Sequence, residues 1–357
     1  MDPLKVAVVG VGALGRHHAR ILSQMTGVNL VAVADANASQ AQAVAEGCGC
    51  EWTADYRSLL TRIEAATIVV PTMLHREVAS EFLRRDIPVL VEKPLAAGVA
   101  DGRALVRLAD EHQVALQVGH VERFNPTFAR LAELCGAPRY VRAERLSPYA
   151  FRSMDIGAVH DLMIHDIDLV LTLVRSTVER VEAFGVCIVG GREDCVQARL
   201  TFANGCIADL VANRVCPFPR RKLQVWSEAG CVDADLHHRR VIAFRPGDAL
   251  RSGLLPFDLA RQPGADIGRL KQEVFGKFIE TTEPAVSDAD ALTAELRSFV
   301  ESVLLHHRPE VDGHDALAAL EVAERVLEAV SAHAWDGRGG SRVGAHAHEV
   351  FAGRAAA

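Results

Sequence analysis

The first twenty-five residues restrict the fold more than any other stretch of the chain. Leu4 to Val9 is a short apolar run, followed at once by Gly10-Val11-Gly12-Ala13-Leu14-Gly15 and then by a helical pattern from Arg16 to Met25. A strand that enters a glycine turn and leaves as a helix opens a dinucleotide-binding unit. Gly10 makes the turn, Gly12 lets the backbone approach a pyrophosphate, and Gly15 lets helix and strand pack closely, with Ala13 and Leu14 in the same loop. A second apolar run, Leu30 to Ala34, ends in Asp35, twenty residues after Gly15. A carboxylate there accepts the ribose hydroxyls and repels a 2′-phosphate. No arginine follows within Ala36-Asn37-Ala38, so the expected cofactor is NAD rather than NADP.

Strand and helix patterns then alternate as far as Val118, which predicts a parallel sheet with helices on both faces. The strand Thr67 to Val70 opens into Pro71-Thr72-Met73-Leu74-His75, a loop that can line the nicotinamide pocket, with His75 capping the next helix or touching the ligand. The strand Val89 to Val91 runs into Glu92-Lys93-Pro94. A lysine at a strand end beside an apolar floor is desolvated, which lowers its pKa and suits it to acid or base work near neutral pH. Pro94 fixes its own φ and biases Lys93 away from helical geometry, so the side chain is aimed rather than carried into a helix.

After Val118 the alternation ends. The reading is a Rossmann domain over 1–122, an α+β substrate-binding and oligomerisation domain over 123–335, and a disordered Gly-, Ala- and His-bearing tail over 336–357. Runs of strands between residues 178 and 244, with no helices among them, predict a large, mostly antiparallel open sheet. Its uncovered face is a candidate oligomer surface. Pro246 to Gly268 reads as a long loop, followed by helices at Arg269 to Thr281, Ala289 to His306 and His314 to His333.

A long helix predicted from Ala158 to Val174 carries His160-Asp161-Leu162-Met163-Ile164-His165-Asp166-Ile167-Asp168. Asp161 and His165 are four apart and share a face, with Asp168 on nearly the same side. A carboxylate beside an imidazole orients the ring and raises its basicity, as a proton acceptor for an alcohol requires. A surface ion pair and a metal site are the competing readings. His160 and His165 are five apart and diverge on an α-helix, so no metal is expected. Arg214 with Arg220-Arg221-Lys222 forms a basic cluster, read either as cations for a substrate diphosphate or as a strand edge guarded by charge.

The 357 residues carry a net charge of −7, which argues against a nucleic-acid partner. No apolar run is long enough to cross a bilayer, and the chain enters a strand without a signal-type core, so a cytoplasmic protein is expected. Eight scattered cysteines without a C-x-x-C pair suggest neither a zinc site nor a disulfide frame.

Gly10 to Gly15, Asp35, Glu92-Lys93-Pro94 and Asp161-x-x-x-His165, in that order, resemble the Gfo/Idh/MocA oxidoreductases over most of the chain. The resemblance implies that Lys93 and His165 face a substrate alcohol, that Asp161 supports the histidine, and that Glu92, Pro71 and Thr72 border the nicotinamide. It also implies a homodimer or homotetramer packed through the open sheet. The stretch Gly119-His120-Val121-Glu122-Arg123-Phe124-Asn125-Pro126, with His120 and Arg123 as substrate candidates, and the stretch His160 to Asp168 look most like members acting on UDP-N-acetylglucosamine. Those members oxidise C3 ahead of an amination used in making lipid A, which implies an aminotransferase as the next partner. A dehydrogenase of a free polyol such as inositol is the alternative, and a non-catalytic NAD-binding sensor is the alternative from another class.

Overall fold

The computed structural model describes residues 2–151, 156–189, 191–335 and 338–339. The chain divides into two units, Met1–Phe124 with Ala289–Glu324, and Asn125–Asp288 with Arg325–Ala357. The cut expected near residue 122 falls beside Phe124. Ala289–Glu324, within the second domain expected over 123–335, groups with the first unit.

The first unit is built on β1 (Leu4–Val9), β2 (Val28–Ala34), β3 (Glu51–Thr53), β4 (Ala65–Ile68), β5 (Val89–Glu92) and β6 (Leu116–Gly119). The six strands are all parallel, in the order β3-β2-β1-β4-β5-β6. The order reverses between β1 and β4, which opens a ligand crevice outside their carboxyl ends. Helices α1 (Gly15–Gln24), α2 (Ala38–Cys48), α3 (His75–Leu83) and α4 (Val99–His112) supply the crossovers. Because both sheet faces are covered, alternate strand residues enter two cores, and the strands read as nearly continuous apolar runs. Ala7, Val9, Val89 and Val91 join the core that also holds Val78, Phe82 and Leu105. Val6, Val8 and Leu90 join the core under Ala19, Ile21 and Leu22 of α1.

In the second unit, α5 (Pro126–Cys135) starts with Pro126 after Asn125, whose side chain accepts from the Thr127 amide at 3.0 Å. The sheet comprises β7 (Pro138–Leu146), β8 (Val178–Val186), β9 (Cys195–Phe202), β10 (Ile207–Asn213), β11 (Arg220–Ser227), β12 (Gly230–Asp235), β13 (Arg240–Pro246) and β14 (Ile279–Thr282). Its order is β14-β13-β12-β11-β7-β10-β9-β8, antiparallel throughout except for the β7–β10 pair. Helix α5 packs on β11, β12 and β13, and α6 (Ile164–Val174) packs on β7 and β10.

Two local expectations fail. Pro246 to Gly268 is not one loop, since it contains the short helices α7 (Asp248–Arg251) and α8 (Pro256–Ala260), and α9 (Ile267–Glu273) begins at its end. The helix expected over Arg269 to Thr281 breaks at Phe275 (ψ 125°) and Gly276 (φ 107°), and the chain continues as β14. Gly276 has the positive φ that a β-carbon resists, so the segment can switch from helix to edge strand there. Helices α10 (Ala291–Leu305) and α11 (Gly313–Ala332) follow, α10 starting where the Asp290 side chain accepts from the Thr293 amide at 2.9 Å. Apart from the short pairing of Ala334–Trp335 with Arg338–Gly339, the tail over 336–357 lies outside the described residues. The eight cysteines are free thiols, with Cys135, Cys206 and Cys231 buried.

Candidate cofactor platform and acid–base residues

The loop after β1 is shaped by what a side chain there would hit. Gly10 has φ +87°, and a β-carbon on it would lie 2.5 Å from the Val69 carbonyl oxygen. A β-carbon on Gly15 would overlap the carbonyl of Gly10, so α1 can start this close to the loop only from a glycine. Gly12 meets nothing nearer than the Gln40 amide nitrogen at 3.9 Å, which leaves the loop backbone open to a ligand. Ala13 and Leu14 are exposed beside it. This cradle, open at Gly12 and closed at Gly10 and Gly15, fits a dinucleotide pyrophosphate.

Asp35, at the end of β2, is half-buried and held by its neighbours. Its carboxylate accepts from the Val11 amide at 2.9 Å, the Asn37 amide at 2.9 Å and the Gln40 side chain at 3.4 Å. It therefore ties the glycine loop to the second strand and keeps acceptor capacity for ribose hydroxyls.

Beyond β4, Pro71 precedes a 3₁₀ turn over Thr72–Leu74. His75 neither stays at the surface nor presents a free nitrogen to a ligand. It is 1% exposed, and its Nδ1 and Nε2 lie 2.9 Å from the carbonyls of Pro94 and Val70. Burial lowers its pKa by more than the two carbonyls raise it. A neutral ring has one N–H and donates to one of these carbonyls at a time, so the buried imidazole sits between the loop after β4 and the loop after β5.

Glu92 is the last residue of β5 and is buried, while Lys93 after it is half-buried. The Lys93 amide lies 3.2 Å from Glu92 Oε2, and the Lys93–Pro94 peptide is cis. Glu92 follows Leu90 by two, so it faces the α1 side of the sheet. There His18 of α1 places Nε2 3.2 Å from Glu92 Oε1, and Glu295 of α10 joins them. His120 follows β6 and is buried, and Arg123 reaches Asp315 of α11 at 3.5 Å, so its charge is already matched within the unit.

In the second unit the residues around His165 are carried by a helix with an irregular start. Val159–Met163 forms a wide π turn before α6, so the α-helical spacing assumed for Asp161 and His165 does not apply across the first turn. Such turns widen the helix and concentrate at functional positions. Asp161 and His165 are half-buried, whereas Asp168 is buried and does not share their exposure. The start of the turn is held by Glu193, whose main-chain carbonyl accepts from Ala158 at 2.9 Å and whose carboxylate accepts from Val159 at 3.1 Å. Asp166, next to His165, accepts from Arg145 of β7 at 2.7 Å and 3.1 Å, and both side chains are buried.

The basic cluster divides. Arg214 is buried, bonded to Asp194 at 2.8 Å and to the Ile156 carbonyl at 2.7 Å, so it is a core cation rather than part of an exposed patch. Burial pushes the Asp194 carboxyl up, but the amides of Val189 and Ile188 and the Arg214 guanidinium outweigh it and hold its pKa below the usual value. Arg220 and Arg221 are exposed on β11, an interior strand between β12 and β7 rather than an edge. Arg220 pairs with Glu144 at 3.0 Å.

The sequence reading missed Glu193, the Arg145–Asp166 pair, and His18 with Glu295. A signal existed for the last two. His18 precedes the core residues Ile21 and Leu22 by three and four, and Glu295 precedes Phe299 by four, so each is a polar residue on an apolar helical stripe. No described helix is long and apolar enough to cross a membrane.

Comparison with known proteins follows the same division. Residues 4–120 match the family model described as "Oxidoreductase family, NAD-binding Rossmann fold", and residues 132–233 match "GFO/IDH/MocA C-terminal domain". The chain is 31% identical to a UDP-N-acetylglucosamine 3-dehydrogenase of Acidithiobacillus ferrooxidans, over 93% of this chain and 99% of that protein. A solved structure of that dehydrogenase superimposes with a TM-score of 0.81, covering 92% of this chain and 98% of the other. An inositol 2-dehydrogenase of Rhizobium meliloti is 24% identical over 92% of this chain and 97% of its own length.

Proposed function

Since the chain belongs to the Gfo/Idh/MocA family of NAD-binding oxidoreductases, we propose that it oxidises the C3 hydroxyl of UDP-N-acetylglucosamine to a ketone, with NAD as oxidant. The observation that carries the substrate is the 31% identity to a dehydrogenase of that name across almost the full length of both chains. NAD over NADP rests on Asp35, whose fixed carboxylate meets only amide groups and would repel a 2′-phosphate.

Gly10, Gly12, Ala13, Leu14 and Gly15 receive the pyrophosphate, Asp35 the ribose hydroxyls, and Pro71, Thr72 and Glu92 border the nicotinamide end. When bound, the nicotinamide supplies the hydride acceptor. The protein places the alcohol, keeps water away and takes one proton. Lys93, at the end of β5, and His165, oriented by Asp161, are the residues assigned to that proton. The ketone then passes to an aminotransferase, in a route toward lipid A. Assembly is through the second unit's sheet, as a homodimer or homotetramer.

Relatives named as inositol dehydrogenases support a second reading, a free polyol as substrate. The test is NADH absorbance after mixing the protein with NAD and either UDP-N-acetylglucosamine or myo-inositol, with a carbonyl reagent to trap product. A signal with the nucleotide sugar that Lys93→Ala abolishes, and a trapped product with the mass of the ketone's adduct with the reagent, support the proposal. A signal with inositol alone overturns its substrate, and no turnover with any sugar while NAD binds would return the chain to a sensor.

A further inference from the structure

Beneath the strand end that carries Lys93 lies a buried polar cluster that shares Glu92 with the proposed cofactor site and adds His18 and Glu295, which the proposed chemistry does not use. His18 from α1, Glu92 from β5 and Glu295 from α10 bring ligand-type atoms within 4.8 Å of one another, and all three are buried. His18 and Glu295 are each 0% exposed. Gln117 of β6, also 0% exposed, donates to the main-chain carbonyl of Glu295 at 3.0 Å, while its Oε1 has no hydrogen-bond partner. Both carboxylate oxygens of Glu295 lack a donor as well.

The cluster is therefore rich in acceptors and poor in donors. Two carboxylates lie against a single imidazole whose own nitrogens make no hydrogen bond, and a buried acceptor without a donor costs about 1–3 kcal/mol, more when it is charged. Two ionised carboxylates this close in a dry interior are not tolerated without compensation. A proton needs no hydration shell, so it suits a carboxyl that is 0% exposed. The turn after β6, which packs on α10, brings His120 and Glu122, both buried, while Arg16, His17 and Arg20 of α1 and Arg297 of α10 are exposed.

We infer that Glu295 is a neutral carboxylic acid in the folded protein, and that with His18 it fixes Glu92 and hence the Lys93 strand end. Glu295 is then a positioning residue acting through Glu92. Burial and the adjacent Glu92 both push its pKa well above the usual carboxylate value, which agrees with this charge state. Gly119 completes the arrangement: a β-carbon there would lie 2.8 Å from Glu92 Oε1, so Glu92 is seated against a position with no room for a methyl group.

The first experiment is a difference infrared spectrum of the full-length protein against Glu295→Gln at pH 8, with elemental analysis of both for divalent metals. A neutral-acid carbonyl band, shifted in D2O and missing from the variant, is the expected result. Its absence, or a stoichiometric metal lost from the variant, overturns the inference. This arm needs no substrate, so it stands or falls apart from the proposed function. The second arm, which rests on that function, is turnover. Glu295→Gln retains a neutral donor and keeps kcat within about threefold, the scale of exchanging one neutral hydrogen bond for another. Gly119→Ala displaces Glu92 and lowers kcat by up to about a hundredfold, the effect of a misplacement of about 1 Å. Loss of kcat in Glu295→Gln as deep as in Lys93→Ala would show that an ionised Glu295 is required, and would also overturn it.

Discussion

In the first unit the phosphate loop is limited sterically by backbone, of Gly10 itself and of Val69, whereas in the second the start of the helix that carries His165 is held by side chains from elsewhere in the chain, Glu193 before β9 and Arg145 of β7. Gly15 sits under the carbonyl of Gly10, and Asp35 ties the same loop to β2. The π turn before α6 instead depends on Glu193, and His165 is followed directly by Asp166, which is bound to Arg145. The first kind of support is steric and survives most distant changes. The second is a buried ion pair that fails when one partner is removed.

Mutations that separate chemistry from support bear on this contrast, the largest effect being on chemistry. Lys93→Ala is expected to lower kcat by about 10²–10⁴, the range for losing a positioned acid or base, while NAD affinity by fluorescence titration changes little. An equal loss of NAD binding would make Lys93 part of the cofactor platform alone.

Asp166→Ala takes away the carboxylate 2.7 Å from the buried Arg145 guanidinium and should cost up to about 3–5 kcal/mol in urea unfolding. Replacing both partners by Met and Leu should recover much of that loss. A double variant as unstable as the single one would remove the ion pair from the account.

The third effect is a pH dependence. Burial and the adjacent Glu92 hold the Glu295 pKa well above the usual carboxylate range, so between that range and the raised pKa the folded state keeps a proton that the unfolded state has lost. Stability then falls as pH rises through this window, by about 1.4 kcal/mol per pH unit for one proton. Urea midpoints at several pH values should show that slope in the wild type and a flatter profile in Glu295→Gln. Asp194 works in the other direction: its depressed pKa gives stability that is present above the unfolded value and lost as pH falls through the folded one. Identical slopes in wild type and Glu295→Gln would contradict the neutral acid.

Arg220→Ala sits at the small end. Its partner Glu144 is paired on the sheet surface with Arg142 as well, and exposed pairs contribute about 0–1 kcal/mol. Titration with UDP-N-acetylglucosamine gives the sharper reading, since unchanged affinity in Arg220→Ala with Arg221→Ala would retire both residues as diphosphate ligands.

The sequence by itself determined the parts whose signals are local. A strand, three glycines at fixed offsets and a carboxylate at the next strand end are legible because sterics and phosphate geometry act within one βαβ unit. Lys93 was legible for the same reason, as the residue at a strand terminus. Tertiary structure alone decided which groups are buried against one another. Arg214 looked like part of a surface cluster until Asp194 was seen beneath it, and His75 looked available until both ring nitrogens met carbonyls. The return of Ala289–Glu324 to the first unit brought Glu295 to Glu92, residues far apart in the chain. The physical reason is that a buried charge is tolerated only by its spatial neighbours, and no periodicity along a single segment records who those neighbours are.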